Sequence, residues 1–331
     1  MKSPARYLLA LAALILPASV AAHDPVSAEW AVAIHGGAGT LERSAMTPER
    51  EAEYTASLQA ALDAGAAVLR DGGTSEDAVI AVITLLEDNP LFNAGRGAVL
   101  TWDGGISLDA SLMLGESRAA GAVAGLTTVR HPILLAQAVM DDGRHVFLSG
   151  NGAEEFADGT SLERVESDWF ITVPRAEALE RYRSRELTAL DDEHRFGTVG
   201  AVARDVHGNL AAGTSTGGMT GKRWDRIGDA PVIGAGTYAD NRACAVSATG
   251  AGEYFIRAAV ANSICRLMQL AGMGPREAAD NVMAEVAELG GDGGVIVIAP
   301  SGETAFSFNT SGMYRGRADS TGLNEVGIFA D

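Results

Sequence analysis

The sequence predicts an α+β fold in which antiparallel sheets are covered by helices. Three observations carry that expectation. Short runs rich in Val, Ala, Ile and Thr come in pairs around turn residues, as at Thr198–Asp205 and Leu210–Thr216 about His207-Gly208-Asn209. Helical periods lie between such pairs instead of alternating with single strands, which argues against a doubly wound parallel sheet. A chain of 331 residues that is 47% hydrophobic also buries a sizeable core.

The elements follow in order. Trp30–Ile34 reads as a strand running into the flexible turn His35-Gly-Gly-Ala-Gly39. Thr47-Pro48 supplies an N-cap and a first helical position, and the apolar stripe Leu58, Ala61, Leu62, Leu69 carries a helix to Gly72-Gly73. A second helix starts at Thr74-Ser75, with Asp77 completing a capping box, and stops before Pro90. A Gly-rich loop, Leu91–Gly97, follows. Ala98–Thr101 and Ile106–Met113 read as a hairpin about Asp103-Gly104-Gly105, Ala119–Leu126 as a strand and His131–Asp141 as a helix. The stretch from about 155 to 197 is polar and charged, with a helix-like part at Arg175–Glu186, and is expected to be a mobile linker. Beyond it come the Thr198–Thr216 hairpin, helices over Glu253–Leu270 and Pro275–Leu289, and a hairpin of Val295–Ala299 with Thr304–Phe308.

Charge and composition exclude several classes. With 25 Lys and Arg against 43 Asp and Glu, net −18, the chain offers no phosphate-binding surface, so no nucleic-acid partner is expected. Lys2 and Arg6 precede an uncharged run from Tyr7 to Ala22 that ends in small residues, the pattern of a signal peptide over 1–22. An exported protein, periplasmic or secreted, is therefore expected, with no later membrane span. Cys244 and Cys265 are the two cysteines, expected as buried free thiols.

Some motifs fail on inspection. Gly213-Thr-Ser215-Thr-Gly217 matches a nucleophile elbow, but none of the six histidines follows Ser215. Gly36-Gly37-Ala38-Gly39 lacks the dinucleotide spacing, and no cluster of Cys and His has zinc spacing.

The chemistry points to Thr198. A threonine hydroxyl is a weak nucleophile unless a base sits beside it, and a free α-amino group, with a pKa of about 7.7–8.0, suits that task. Cutting the chain before Thr198 would put both groups on one residue, and Gly197 lets the peptide twist so that the hydroxyl reaches the preceding carbonyl.

Around this point the sequence resembles the plant-type asparaginase/isoaspartyl peptidase family of N-terminal nucleophile hydrolases. The matching text includes Ala33-Ile-His-Gly-Gly-Ala-Gly39, Pro90-Leu-Phe-Asn-Ala-Gly95, Leu108-Asp-Ala110 and Gly197-Thr-Val-Gly-Ala-Val-Ala203. It continues through Thr214-Ser-Thr-Gly-Gly-Met-Thr220, Arg226-Ile-Gly-Asp229, Gly234-Ala-Gly236, Thr249-Gly250 and Phe308-Asn-Thr310.

The resemblance implies a four-layer αββα sandwich and a precursor that cuts itself between Gly197 and Thr198. An α chain over 23–197, including the linker, and a β chain over 198–331 would result. Thr198 would be the nucleophile, with Thr216 beside it, and Thr249 with the Gly250 amide would form the oxyanion hole. Arg226 and Asp229, with Asn93 and Gly252, would bind substrate. Backbone carbonyls of Leu86, Glu87, Asn89, Phe92, Ala94 and Arg96 would hold a structural sodium ion, with no cofactor for catalysis. The implied activity is hydrolysis of β-aspartyl dipeptides and of the L-asparagine side-chain amide, releasing L-aspartate, in a dimer of processed αβ heterodimers. Glycosylasparaginase is the alternative on the same fold, and an exported solute-binding protein the alternative from another class. Asp225 stands where relatives carry Gly, and Ala251 where many carry Thr or His, so substrate preference is left open.

Overall fold

The computed structural model describes residues 29–39, 41–186 and 197–330. The strands, in chain order, are β1 (Ala31–Gly39), β2 (Leu108–Leu114), β3 (Ala120–Leu126), β4 (Phe147–Ser149), β5 (Val199–Arg204) and β6 (Leu210–Thr216). They continue with β7 (Thr237–Asp240), β8 (Cys244–Gly250), β9 (Gly293–Ile298), β10 (Thr304–Phe308), β11 (Gly312–Asp319) and β12 (Asn324–Phe329). An eight-stranded sheet runs β12-β11-β1-β5-β6-β2-β3-β4, and a four-stranded sheet runs β10-β9-β8-β7. Every pairing is antiparallel except β3 with β4.

Alternation along each strand explains the layers. In β1, Val32 and Ile34 join the core under α1 (Pro48–Arg70), α2 (Ser75–Asp88) and α3 (Pro132–Asp142), whereas Ala31 and Ala33 face the other sheet. In β9, Val295 and Val297 point to the second helical layer while Ile296 and Ile298 point inward. The inner layer is rich in Ala, so the sheets approach closely. The expected αββα sandwich is the observed one.

Local signals are realised at the helix starts. Thr47 accepts a hydrogen bond from the Arg50 amide, and Thr74 and Asp77 form both halves of a capping box. Each cap is worth about 1 kcal/mol. The second layer consists of α6 (Gly252–Ala258), α7 (Val260–Ala271) and α8 (Pro275–Glu288), numbered after α4 (Gly150–Asp158) and α5 (Val173–Glu186). No helix among the described residues is long and apolar enough to cross a membrane.

Several expectations change. The His35–Gly39 text is not a turn: β1 runs through it with a bulge between His35 and Gly37. Ala98–Thr101 forms no strand, and β2 pairs instead with β3 and β6, because its alternating apolar residues bury on both sides of the ladder. The long helix over 253–270 breaks at Ala259, whose φ is 46°. There the amides of Ala261 and Asn262 donate to Ala235 and Gly234 carbonyls, which restarts the helix as α7. In the expected mobile linker, 155–186 is folded as the end of α4, a short 3₁₀ turn at Ser167–Trp169 and α5, with Phe170 and Leu179 buried in the core. Residues 187–196 of that linker, and the leader-like 1–22, lie outside the described residues. The free thiols are also corrected: Cys244 on β8 and Cys265 on α7 face each other in the second core, Cα atoms 5.3 Å apart, and form a disulfide.

Candidate active site

Strand parity gathers the polar groups. On β5, residues 199, 201 and 203 face the first helical layer, so Thr198, just before the strand, falls on the inter-sheet side with Gly200 and Val202. On β6 the same parity sends Thr214 and Thr216 inward and Ser215 outward, where its hydroxyl donates to Glu87 of α2 at 2.6 Å. Since Val199 pairs with Ser215, the residue before it lies opposite Thr216. The two hydroxyls of Thr198 and Thr216 are 2.9 Å apart, and the Gly218 amide donates to Thr216 Oγ1 at 2.9 Å. Thr198 is 9% exposed, buried yet reachable.

Behind Thr198 runs a buried chain of hydroxyls. The Thr198 carbonyl can only accept, so His35 Nδ1 carries the proton it donates across 3.0 Å. Nε2 must then accept from the Ser247 hydroxyl at 2.9 Å. Ser247 lies 2.7 Å from Thr214, Thr214 2.5 Å from Thr237, and Ser111 donates to Thr237 at 2.8 Å. Burial lowers the His35 pKa to about 3, so the imidazole is neutral. Gly200 makes room for this chain: a Cβ there would sit 2.0 Å from Ser247 Oγ and 2.4 Å from His35 Nε2.

Asn93 ties the Gly197 end of the junction to the loop after β6. Its amide donates to the Gly197 carbonyl at 3.1 Å, and its side chain bonds the Gly218 carbonyl at 2.7 Å and the Val99 amide at 2.8 Å. A Cβ on Gly197 would meet Asn93 Cβ at 2.9 Å, and one on Gly37 would meet Gly197 Cα at 2.6 Å. The His35-Gly-Gly segment therefore packs directly on the junction.

Arg226 and Asp229, which the resemblance assigns to substrate, lie together around Gly252, and Glu253 joins them. Arg226 donates through Nε and Nη2 to Glu253, at 2.9 and 2.8 Å. Gly252 lies between Arg226 and Asp229: its Cβ would be 2.8 Å from Asp229 Oδ1 and 3.0 Å from Arg226 Nη2. Burial, with the nearby Glu253 charge adding to it, raises the Asp229 pKa to about 7, against its own amide, Arg226 and the Ala230 amide. Asp229 Oδ2 and Thr249 Oγ1 are buried without a hydrogen-bond partner among the described residues. An orphaned acceptor and an orphaned hydroxyl suit an ammonium and a developing oxyanion respectively. Gly250, at φ 155°, leaves no room for a side chain, since a Cβ would be 2.4 Å from the Asp292 carbonyl oxygen.

The loop that the resemblance assigns to sodium, Leu86 to Arg96, contains Asn93. The carbonyls of Leu86, Glu87 and Asn89 already accept amides of Asn89, Arg96 and Phe92, each keeping a second lone pair. The Glu87 carboxylate is engaged by Ser215, His131 and the Ile133 amide, so only its main-chain oxygen is available to a cation. No group of His, Cys, Asp and Glu among the described residues could hold a transition metal.

Thr198, Thr216, Asn93 and Gly197 thus meet on one side, and Thr249, Gly250, Gly252, Arg226 and Asp229 on the other. Sequence reasoning missed Glu253, Ser247 and the buried ion pair of Lys222 with Asp109, 3.7 Å apart. Glu253 looks like an ordinary acid in a first helical turn, where the helix dipole welcomes it. Inward parity on β8 could have found Ser247.

Residues 28–328 match the family model described as asparaginase. The chain is 45% identical to the "Isoaspartyl peptidase" of Escherichia coli, over 91% of this chain and 96% of the other. It is 41% identical to the "Putative isoaspartyl peptidase/L-asparaginase" of Dictyostelium discoideum, over 86% and 91% of the two chains. To the "Probable isoaspartyl peptidase/L-asparaginase 2" of Arabidopsis thaliana it is 38% identical, over 91% and 99%. The expectation of export does not hold: nothing in these matches shows a signal peptide. A short apolar run carries the composition of a leader, but composition alone does not assign a compartment.

Proposed function

The chain belongs to the asparaginase family, and from that premise we propose an autoprocessing threonine hydrolase of β-aspartyl dipeptides and L-asparagine. The observation that carries this reading is the Thr198 hydroxyl, 2.9 Å from Thr216 and next to a Gly197 carbonyl already held by the Asn93 amide. In maturation, Thr198 Oγ1 adds to the Gly197 carbonyl carbon. The C–N bond breaks as the nitrogen takes the hydroxyl proton, and water hydrolyses the resulting ester. The freed α-amine then serves as base in turnover.

In turnover the hydroxyl adds to the side-chain carbonyl of the aspartyl unit, and the leaving amine departs with a proton. Water then releases L-aspartate from the acyl-enzyme. Thr249 Oγ1, with the Gly250 amide, faces the oxyanion in both halves of the reaction. Asp229 holds the substrate ammonium. Arg226 is oriented by Glu253 through Nε and Nη2, and its Nη1 side serves the α-carboxylate. The 86–96 loop would bind sodium in a structural role, and two processed αβ units would associate.

The test is a denaturing gel with N-terminal sequencing. Active protein should contain a chain beginning Thr198-Val-Gly-Ala, and Thr198→Ala should remain one inactive chain. Full activity in an uncut chain would overturn the reading.

A further inference from the structure

The tip of the loop that carries Arg226 is built unlike an ordinary turn. The Arg226 amide donates to the Arg223 carbonyl at 3.0 Å, closing a four-residue turn with Trp224 and Asp225 at its centre. Their φ values are 55° and 52°, so both central residues are left-handed, the geometry that Asn-Gly normally supplies. A tryptophan and an aspartate held there strain the backbone, and such strain gathers at functional positions. The indole is not packed in return: Trp224 is 90% exposed.

The turn itself is firmly anchored. The Trp102 amide donates to the Lys222 carbonyl at 3.0 Å, and the Arg223 guanidinium lies 3.5 Å from the centre of the Trp102 ring. Arg226 is fixed by Glu253. The indole is therefore presented from a rigid support, two residues from the clamp.

The charges around it are spoken for except one. Arg223 is turned onto Trp102, Lys222 is buried beside Asp109, and Glu253 is neutralised by Arg226. Asp225 is exposed and has no ion pair among the described residues. The tip thus offers a bare aromatic face next to a bare carboxylate. That combination recognises a cation by a cation–π contact together with an ion pair.

We propose that Trp224 and Asp225 form a leaving-group subsite that favours isoaspartyl peptides whose residue after the β-linkage is cationic, arginine or lysine. The inference rests on the proposed function, because the clamp grips the aspartyl half and leaves the other half to the rim. Trp224 contributes the face over which the side chain lies. Asp225 contributes charge, and it repels an acidic leaving residue.

The experiment measures kcat/KM of the processed enzyme on β-Asp-Arg, β-Asp-Leu, β-Asp-Glu and L-asparagine, whose leaving ammonia presents no side chain to the rim. The wild type should rank Arg above Leu above Glu. Trp224→Ala should lower the β-Asp-Arg to L-asparagine ratio about fivefold. Asp225→Asn, a residue suited to left-handed backbone, should lower the Arg to Glu ratio about fivefold, an effect that shrinks as salt rises. Unchanged ratios in both variants, with L-asparagine still hydrolysed, would overturn the subsite alone. Unchanged ratios with an altered oligomeric state would assign Trp224 to a contact between copies of the chain instead. No wild-type turnover of any of these substrates would overturn the proposed function itself.

Discussion

Replacing Asp229 by Asn should stabilise the fold at pH 8 while disabling substrate binding. The carboxyl is buried, and desolvation raises its pKa from 3.8 to about 7. Between those values the folded chain holds a proton that the unfolded chain has lost, so stability falls as pH rises through that window. Above pH 7 the whole penalty is present. Three pH units correspond to roughly 4 kcal/mol at most, and admission of water on ionisation reduces this, so a gain of about 2 kcal/mol for Asn is expected. The assay is urea unfolding of Asp229→Asn against its parent, both carrying Thr198→Ala so that every molecule is one chain. The gain should be full at pH 8, partial at pH 6 and absent at pH 4, where Asp229 is protonated in both states. A difference independent of pH, or an Asn variant less stable at pH 8, would refute the desolvation argument. Kinetics supply the complement: wild-type kcat/KM on L-asparagine should decline below pH 7, because only the ionised carboxylate attracts the substrate ammonium. The Asn enzyme should lose on the order of a hundredfold at pH 8.

Three other outcomes are expected. Thr216→Val removes the hydroxyl 2.9 Å from Thr198 and strands the Gly218 amide, so self-cleavage and turnover should both slow by on the order of a hundredfold, read from band ratios and kcat. Arg226→Ala should still mature, since self-cleavage involves no substrate carboxylate, but kcat/KM should fall roughly a hundredfold, with Lys restoring only part because it lacks the fork. Cys244→Ala with Cys265→Ala opens a link spanning 21 residues and should cost about 3 kcal/mol in the Thr198→Ala background, an unfolding shift that reductant reproduces in the parent.

How much of this was legible depended on the range of the signal. Thr47, Thr74 and Asp77 act on amides within one helical turn, and they placed α1 and α2 correctly. His207-Gly208-Asn209 placed the β5–β6 hairpin, which sets Thr198 opposite Thr216 once the register is known. The failures were not local. Ala98–Thr101 has strand composition, yet its neighbours in space come from Lys222 and the 93–97 loop. The α6–α7 break at Ala259 has no helix breaker in the text, because the amides that end the helical ladder are captured by carbonyls at 234 and 235. In the charged 155–186 stretch, a single buried Phe170 and a single buried Leu179 anchor what composition described as linker.

Parity was the unused resource. Alternation along β1, β2, β5, β6 and β8 puts His35, Ser111, Thr214, Thr216, Ser247 and Thr249 each on one face of its strand, and that face is the layer between the sheets. What no pattern reveals is which of these groups the fold then leaves unsatisfied. Thr214 and Ser247 bond to each other and to their neighbours, so they rigidify the floor. Thr249 Oγ1, with the same chemistry and the same parity, has no hydrogen-bond partner among the described residues, and neither has Asp229 Oδ2. Each such orphan costs about 1–3 kcal/mol, a penalty that packing elsewhere must offset. The difference between a structural hydroxyl and an oxyanion donor is therefore a difference in bonding supplied by the other sheet, and it becomes visible only when the two sheets are brought together.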